Sequence, residues 1–196
     1  MCRIFVCGLL LSLLFGCSQA DAVKGFSKAE KALISADGLM RVLTVDEPGD
    51  LDVLRAKSVD LPESEICSEL FARLSERMLA TVQSPEQDGV GIAGPQVGIN
   101  RRVVAVQRFD KPGEPFEVYA NIRIDSLWGD VKPGPEGCLS VPGKRGEVNR
   151  YDSLCISWSD GKTQHRDTIG GFTAVIFQHE VDHLEGVLYT DRLQGV

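Results

Sequence analysis

A chain of 196 residues suits one domain with a short extension and can bury a substantial core. Its hydrophobic and charged fractions, 43% and 25%, are those of a soluble globular protein. The formal charge of -7 argues against non-specific nucleic-acid binding, which runs on positive charge, so no nucleic-acid partner is expected.

In chain order, the first segment stands apart from the rest. Arg3 precedes an apolar run from Ile4 to Phe15, followed by Gly16-Cys17 and the polar Ser18-Gln19-Ala20-Asp21. The run is shorter than the roughly 20 residues that span a bilayer and has the length of a secretory h-region. Leu14-Phe15-Gly16-Cys17 resembles a bacterial lipobox, in which the cysteine is lipidated and becomes the mature N-terminus. Phe15 is bulkier than that pattern usually carries, and Arg3 alone makes a thin n-region. The expected organisation is a signal-like segment at 1–17 with lipidation at Cys17, a polar linker at 18–38 with room for one helical turn, and the main domain at 39–196. The alternative for the first segment is a buried apolar stretch.

Leu39 to Val45 alternates in strand fashion. Pro62 opens a helical pattern in which Ile66, Leu70, Leu74 and Met78 recur every four residues, so one face is apolar. Ser84 to Asp88 breaks it. Strands are expected at Arg102–Val106, Phe116–Ile124 and Glu147–Trp158, separated by turns such as Lys111-Pro112-Gly113. Gly170-Gly171 then precede a second helix, apolar nearly all round, that Gly186 stops. Such a helix belongs in a core. The fold class is α+β: mixed, largely antiparallel sheets wrapped around a central helix.

That helix carries His179-Glu180-Val181-Asp182-His183, an HExxH motif. Histidines at i and i+4 project from one helix face, so both imidazoles can reach one ion, while Glu180 lies a quarter turn round, beside a water on that ion. Two of the three histidines in the chain sit here, and buried polar side chains need partners; a metal supplies them. A catalytic site adds a third protein ligand and leaves a position open. Metzincins continue as H-x-x-G-x-x-H, but Tyr189 stands where their third histidine would be. Gluzincins use a glutamate on a further helix, and the 13 residues after His183 are too few for it. The third ligand must come from upstream, where the candidates are Cys138, His165 and several carboxylates. Cys138 sits in Glu136-Gly137-Cys138-Leu139-Ser140 between Pro135 and Pro142, and a thiolate is a strong ligand for Zn²⁺ or Fe²⁺. Of the six cysteines, Cys2, Cys7 and Cys17 lie in the signal-like segment. Cys67 and Cys155 have plainer settings, on a helix and in an apolar strand. The odd number in the body leaves at least one thiol free. His165, between Gln164 and Arg166, reads as exposed.

Three motifs in order now carry a resemblance: Gly89-Val90-Gly91-Ile92-Ala93-Gly94-Pro95-Gln96-Val97-Gly98, Glu136-Gly137-Cys138-Leu139-Ser140, and Gln178-His179-Glu180-Val181-Asp182-His183-Leu184. The chain resembles the peptide deformylases, which remove formyl from the N-terminal methionine of new bacterial chains, from about Met40 to Leu193. The resemblance implies that Cys138, His179 and His183 hold the metal and that Glu180 is the general base and acid. It implies that the Gln96 side chain and the Leu139 backbone N–H bind the oxyanion, and that Arg145 helps dock the peptide. Val175, Ile176 and Phe172, one and two turns before His179, with Val90 and Gly91, would line the methionine pocket. Fe²⁺ is the expected native ion; Zn²⁺, Ni²⁺ and Co²⁺ also suit the ligands. The expected substrates are formyl-Met peptides or nascent chains. Gly94 replaces the usual alanine, a small-for-small change expected to be tolerated, and the chain ends at Val196 without the C-terminal helix many members carry. Gly89 to Gly94 also satisfies G-x-G-x-x-G, but it follows a polar breaker and meets Pro95 at once, so no nucleotide site is expected.

The signal-like leader is foreign to that family. It points to a bacterial lipoprotein anchored through Cys17 and facing the periplasm or exterior, with a cytoplasmic enzyme starting at Met40 as the alternative. The competing functions are a lipid-anchored relative of low or altered activity and a zinc endopeptidase, which Tyr189 disfavours.

Overall fold

The computed structural model describes residues 23–193. The signal-like segment with Cys17, and residues 18–22 of the expected linker, lie outside the described residues. Among these no helix is long and apolar enough to cross a membrane.

The described part of the expected linker contains a helix. Ser27 and Glu30 cap helix α1 (Lys28–Ser35) reciprocally: each side chain accepts from the other's backbone N–H. Phe26 and Ile34 are buried in the main core, and α1 packs on helix α4 (Glu69–Val82). Only a few of these residues turn inward, too few to register as periodicity. Leu39 to Val45, expected as a strand, is irregular. The Leu43 N–H donates to the Gln96 carbonyl at 2.8 Å and the Val45 N–H to the Ser140 carbonyl at 2.9 Å, single bonds to two different elements rather than a ladder. Helix α2 (Asp50–Arg55) follows, with Asp50 in a bidentate pair with Arg41.

The helix expected from Pro62 is two helices. α3 (Glu63–Ile66) ends at Cys67, and Ser68, whose hydroxyl accepts from the Phe71 N–H, caps α4 afresh. Ile66, Leu74 and Met78 are buried as the spacing predicts.

Strands β1 (Gly91–Ala93), β2 (Val103–Gln107), β3 (Phe116–Cys138), β4 (Val141–Ser159) and β5 (Gln164–Gly170) form one sheet in sequence order, every neighbouring pair antiparallel. The expected α+β fold with largely antiparallel strands is present, and an isolated parallel bridge joins Val59 to Arg101. β3 and β4 run well past their expected bounds into a long hairpin. Pro133 and Pro135 lie in this extension, where past Ala120 β3 no longer pairs with β2, and an edge strand tolerates residues without an N–H. Both faces of β2 are covered. Val103 and Ala105 join the α1–α4 core, while Val104 and Val106 join the core of helix α5 (Gly171–Leu184). α5 touches all five strands, held by Phe177, Ile176, Ala174 and Leu184. Full burial of Phe177 and of Leu184 stabilises the fold by about 1.5–3 kcal/mol each.

Gly94 sits in a tight backbone cradle. A Cβ there would lie 2.5 Å from the Ile99 carbonyl oxygen and 2.9 Å from that of Arg101, so the backbone has closed onto it. Gly94→Ala is therefore expected to cost about 1–3 kcal/mol of stability, as overpacking does. This would appear as a lower urea midpoint at unchanged m; a midpoint equal to that of the parent chain contradicts it.

Candidate metal centre and active site

Three elements build the site. The β3–β4 turn presents Cys138 and Leu139, the 3-10 turn Gly94–Val97 presents Gln96, and α5 presents His179, Glu180 and His183. The ligating atoms of Cys138, His179 and His183 all lie within 4.8 Å of one another, with Cys138 Sγ 3.2 Å from His183 Nε2. His179 Nδ1 donates to Glu136 Oε2 at 2.8 Å, which leaves its Nε2 for the cluster. A soft sulfur and two imidazoles, one oriented by a carboxylate, suit a tetrahedral ion with one open position. Cys67, Cys138 and Cys155 are all free thiols.

The electrostatics fit the same assignment. Burial lowers the basicity of His179, but hydrogen bonds to Cys138 and Glu136 outweigh it and hold its pKa up to about 10. This imidazole is thus surrounded by the negative charge that a divalent cation balances. Burial, with the positive charges of His179 and Arg150, drives the His183 pKa well below its usual value, so His183 stays a neutral donor. Burial pushes Glu180 up to about 7, opposed by the charge of His179. One Glu180 oxygen, Oε2, is buried without a hydrogen-bond partner. β1 leaves room for this carboxylate because residue 91 is glycine: a Cβ there would lie 2.5 Å from Glu180 Oε1.

Gln96 is oriented from behind. The Ala93 N–H donates to its Oε1 at 2.8 Å, so its amide N–H₂ faces Ser140 Oγ at 3.2 Å and Cys138 Sγ at 3.5 Å. The cleft over the site is about 880 Å³, and Gln96, Leu139, His179 and Glu180 line it. Val90, Gly91, Arg145, Phe172, Val175 and Ile176 line it too, so every residue expected to bind substrate reaches one cavity. His165 does not: it lies on β5, 2.8 Å from Asp160 and stacked on Trp158. Tyr189 is buried and stacks against His179 with ring centroids 6.1 Å apart, so it packs the ligand histidine rather than replacing it.

Sequence reasoning missed the network behind the ligands. Arg150 donates to Glu136 at 2.7 and 3.0 Å and to Asp182 at 2.6 Å, and Arg192 pairs Asp182 from the far side. Burial alone would raise the Glu136 pKa; His179 and Arg150 bring it down to about 2. Asp182, whose place the sequence left open, is buried in this network. Glu136 stands two residues from Cys138, the one available clue; nothing local marks Arg150.

A cleft with two helix histidines, a strand-turn cysteine and a buried carboxylate beside them defines a mononuclear metallohydrolase centre. The chain belongs to the polypeptide deformylase family, whose sequence model matches residues 39–196. A peptide deformylase of Leptospira biflexa is 38% identical over 163 residues, covering 79% of this chain and 88% of that one. A class I type b peptide deformylase from Acinetobacter baumannii, solved with Met-Ala-Ser bound, matches with a TM-score of 0.71 at 33% identity, over 81% of this chain and 100% of that one. The peptide deformylase from Thermotoga maritima matches at 0.70 and 29% identity, over 81% and 100%.

Changing Cys138, His179 or His183 to alanine is expected to empty the metal site in elemental analysis, whereas Cys155→Ala and His165→Ala keep it filled. Loss of metal in His165→Ala with retention in Cys138→Ala would reassign the third ligand.

Proposed function

We propose that this chain hydrolyses the N-terminal formyl group of formyl-methionyl peptides, a linear amide, and releases formate. The observation that carries the reading is Glu180, a buried carboxylate with an unpartnered oxygen beside Cys138, His179 and His183. Those three residues would hold one divalent ion, Fe²⁺ in the native state, though Zn²⁺, Ni²⁺ and Co²⁺ suit the same donors. When bound, the ion supplies Lewis acidity that makes water nucleophilic near neutral pH.

The residues of the chain supply the rest. Glu180 accepts the proton of the attacking water and returns it to the leaving amine, and a pKa near 7 suits both steps. The Gln96 amide, its oxygen already engaged by Ala93, and the Leu139 N–H donate to the oxyanion that develops on the formyl group. Val90, Val175, Ile176 and Phe172 form an apolar wall for the methionine side chain, with the Gly91 backbone beside it, and Arg145 stands on the exposed rim where a peptide continues.

The location is also proposed. Lipidation at Cys17 would anchor the protein to a bacterial membrane, facing the periplasm or exterior, and two acyl chains suffice for stable anchoring. Formyl-peptides reaching that side would be its substrates. A cytoplasmic protein starting at Met40 is disfavoured because it would lack Phe26, Glu30 and Ile34, which are packed into the domain.

Glu180→Gln should retain metal and lose at least roughly 10²-fold in turnover on formyl-Met-Ala-Ser. Near-normal formate release by the metal-loaded variant removes Glu180 from the mechanism. An unformylated, internally blocked peptide library should stay uncut; internal cleavage at a comparable rate would favour the endopeptidase reading. For location, mass spectrometry of the mature N-terminus should find a lipidated Cys17 in the membrane fraction, abolished by Cys17→Ser. A soluble product with an unprocessed N-terminus contradicts the anchor.

A further inference from the structure

The segment ahead of the family-matched region ends at the back of the loop that carries Gln96. Arg101, in that loop, is 6% exposed and uses all five of its donors. Nε and one terminal nitrogen bond Glu30 at 2.8 and 2.9 Å. The remaining donors reach the carbonyls of Gly25 at 2.6 Å, Lys24 at 2.6 Å and Asp60 at 3.4 Å. Of these five bonds, only the one to Asp60 leaves the segment 24–30. Phe26 covers the guanidinium, 5.9 Å from its ring centre.

The same segment packs on the loop through apolar side chains. Phe26 and Ile34 share one buried cluster with Val97 and Ile99, and Leu33 Cδ1 lies 3.2 Å from where a Cβ on Gly98 would sit. The loop is tight in itself: Ile99 N–H donates to the Gly94 carbonyl at 2.9 Å, and Arg101 N–H to the Ile99 carbonyl at 2.7 Å. A pull on Arg101 is therefore transmitted to Gly94 and to the turn that holds Gln96. Removing Glu30 would leave a buried guanidinium without its counter-charge, and the loop must move to hydrate it.

We propose that residues 24–35 are a strap, locked by the Glu30–Arg101 ion pair, that holds the Gln96 loop in its working position. Glu30 and Arg101 are thus positioning residues for the reaction. The proposal rests on the reading of Gln96 as an oxyanion donor. A displacement of that amide on the ångström scale weakens bonds made in the transition state and leaves peptide binding largely intact. A strap that merely stabilised the domain would lower the melting temperature and leave kcat of the folded enzyme alone.

The test uses the full-length, metal-loaded chain, with hydrogen exchange and steady-state kinetics on the same samples. In Glu30→Ala the Gly98 and Ile99 amides should exchange at least about tenfold faster, while amides of α5 stay protected. Its kcat should fall about tenfold at unchanged KM and metal content, and Glu30→Ala should cost nothing further in a Gln96→Ala background, since residues acting through one group are not additive. Should Glu30→Ala fail to fold, Glu30→Gln, which keeps the side-chain length, carries the same comparison. Unchanged loop exchange, unchanged kcat, or additive losses with Gln96→Ala would each overturn the strap. Absence of formate release by the parent chain, or of any effect of Gln96→Ala, would instead sink the functional reading, and the exchange data would still report whether the strap holds the loop.

Discussion

The hydrogen bond from His179 to Glu136 is the interaction on which the site depends. It joins the central helix to the β3–β4 hairpin at the point where Cys138, His179 and His183 meet. α5 is otherwise an apolar core helix, and four ionisable groups on it, His179, Glu180, Asp182 and His183, are costly there without partners. Glu136 takes the first, Arg150 joins Glu136 to Asp182, and Arg192 closes the chain from the C-terminal side. The network fixes the ring of His179 and leaves one cluster, Cys138, His179 and His183, whose donor atoms could hold a divalent cation.

Within this frame Glu180 is left without a partner for one of its oxygens. A buried carboxylate that no arginine claims keeps a raised pKa, which is what a group that takes and returns a proton near neutrality requires. The contrast with Glu136, held at about 2 by His179 and Arg150, gives two carboxylates on neighbouring elements opposite environments, one paired and ionised, the other buried with a raised pKa.

Legibility in the sequence followed the range of the interactions. The HExxH spacing and the apolar surroundings of α5 are local, so the helix, its two ligands and Glu180 could be read from neighbouring residues. Cys138 was singled out only through the resemblance, because the residues alone left His165 and several carboxylates open. Arg150 and Arg192 were silent, since each finds its carboxylate through tertiary contact. The packing of the linker was silent for the same reason: Glu30 looks like a solvated charge until Arg101, some 70 residues later, is seen to pair with it and to bond the Lys24 and Gly25 carbonyls. Strand bounds failed where prolines lie on an edge, a context that local propensity does not encode.

The central claim is that Glu136, through His179, organises a catalytic metal site rather than an incidental polar cluster. The most direct measurement is the metal dissociation constant of Glu136→Gln by competition with a chelator, in a variant verified as folded. The account predicts affinity weakened by about 10–100-fold, the usual cost of losing the carboxylate behind a ligand histidine. An affinity equal to that of the parent chain would contradict it.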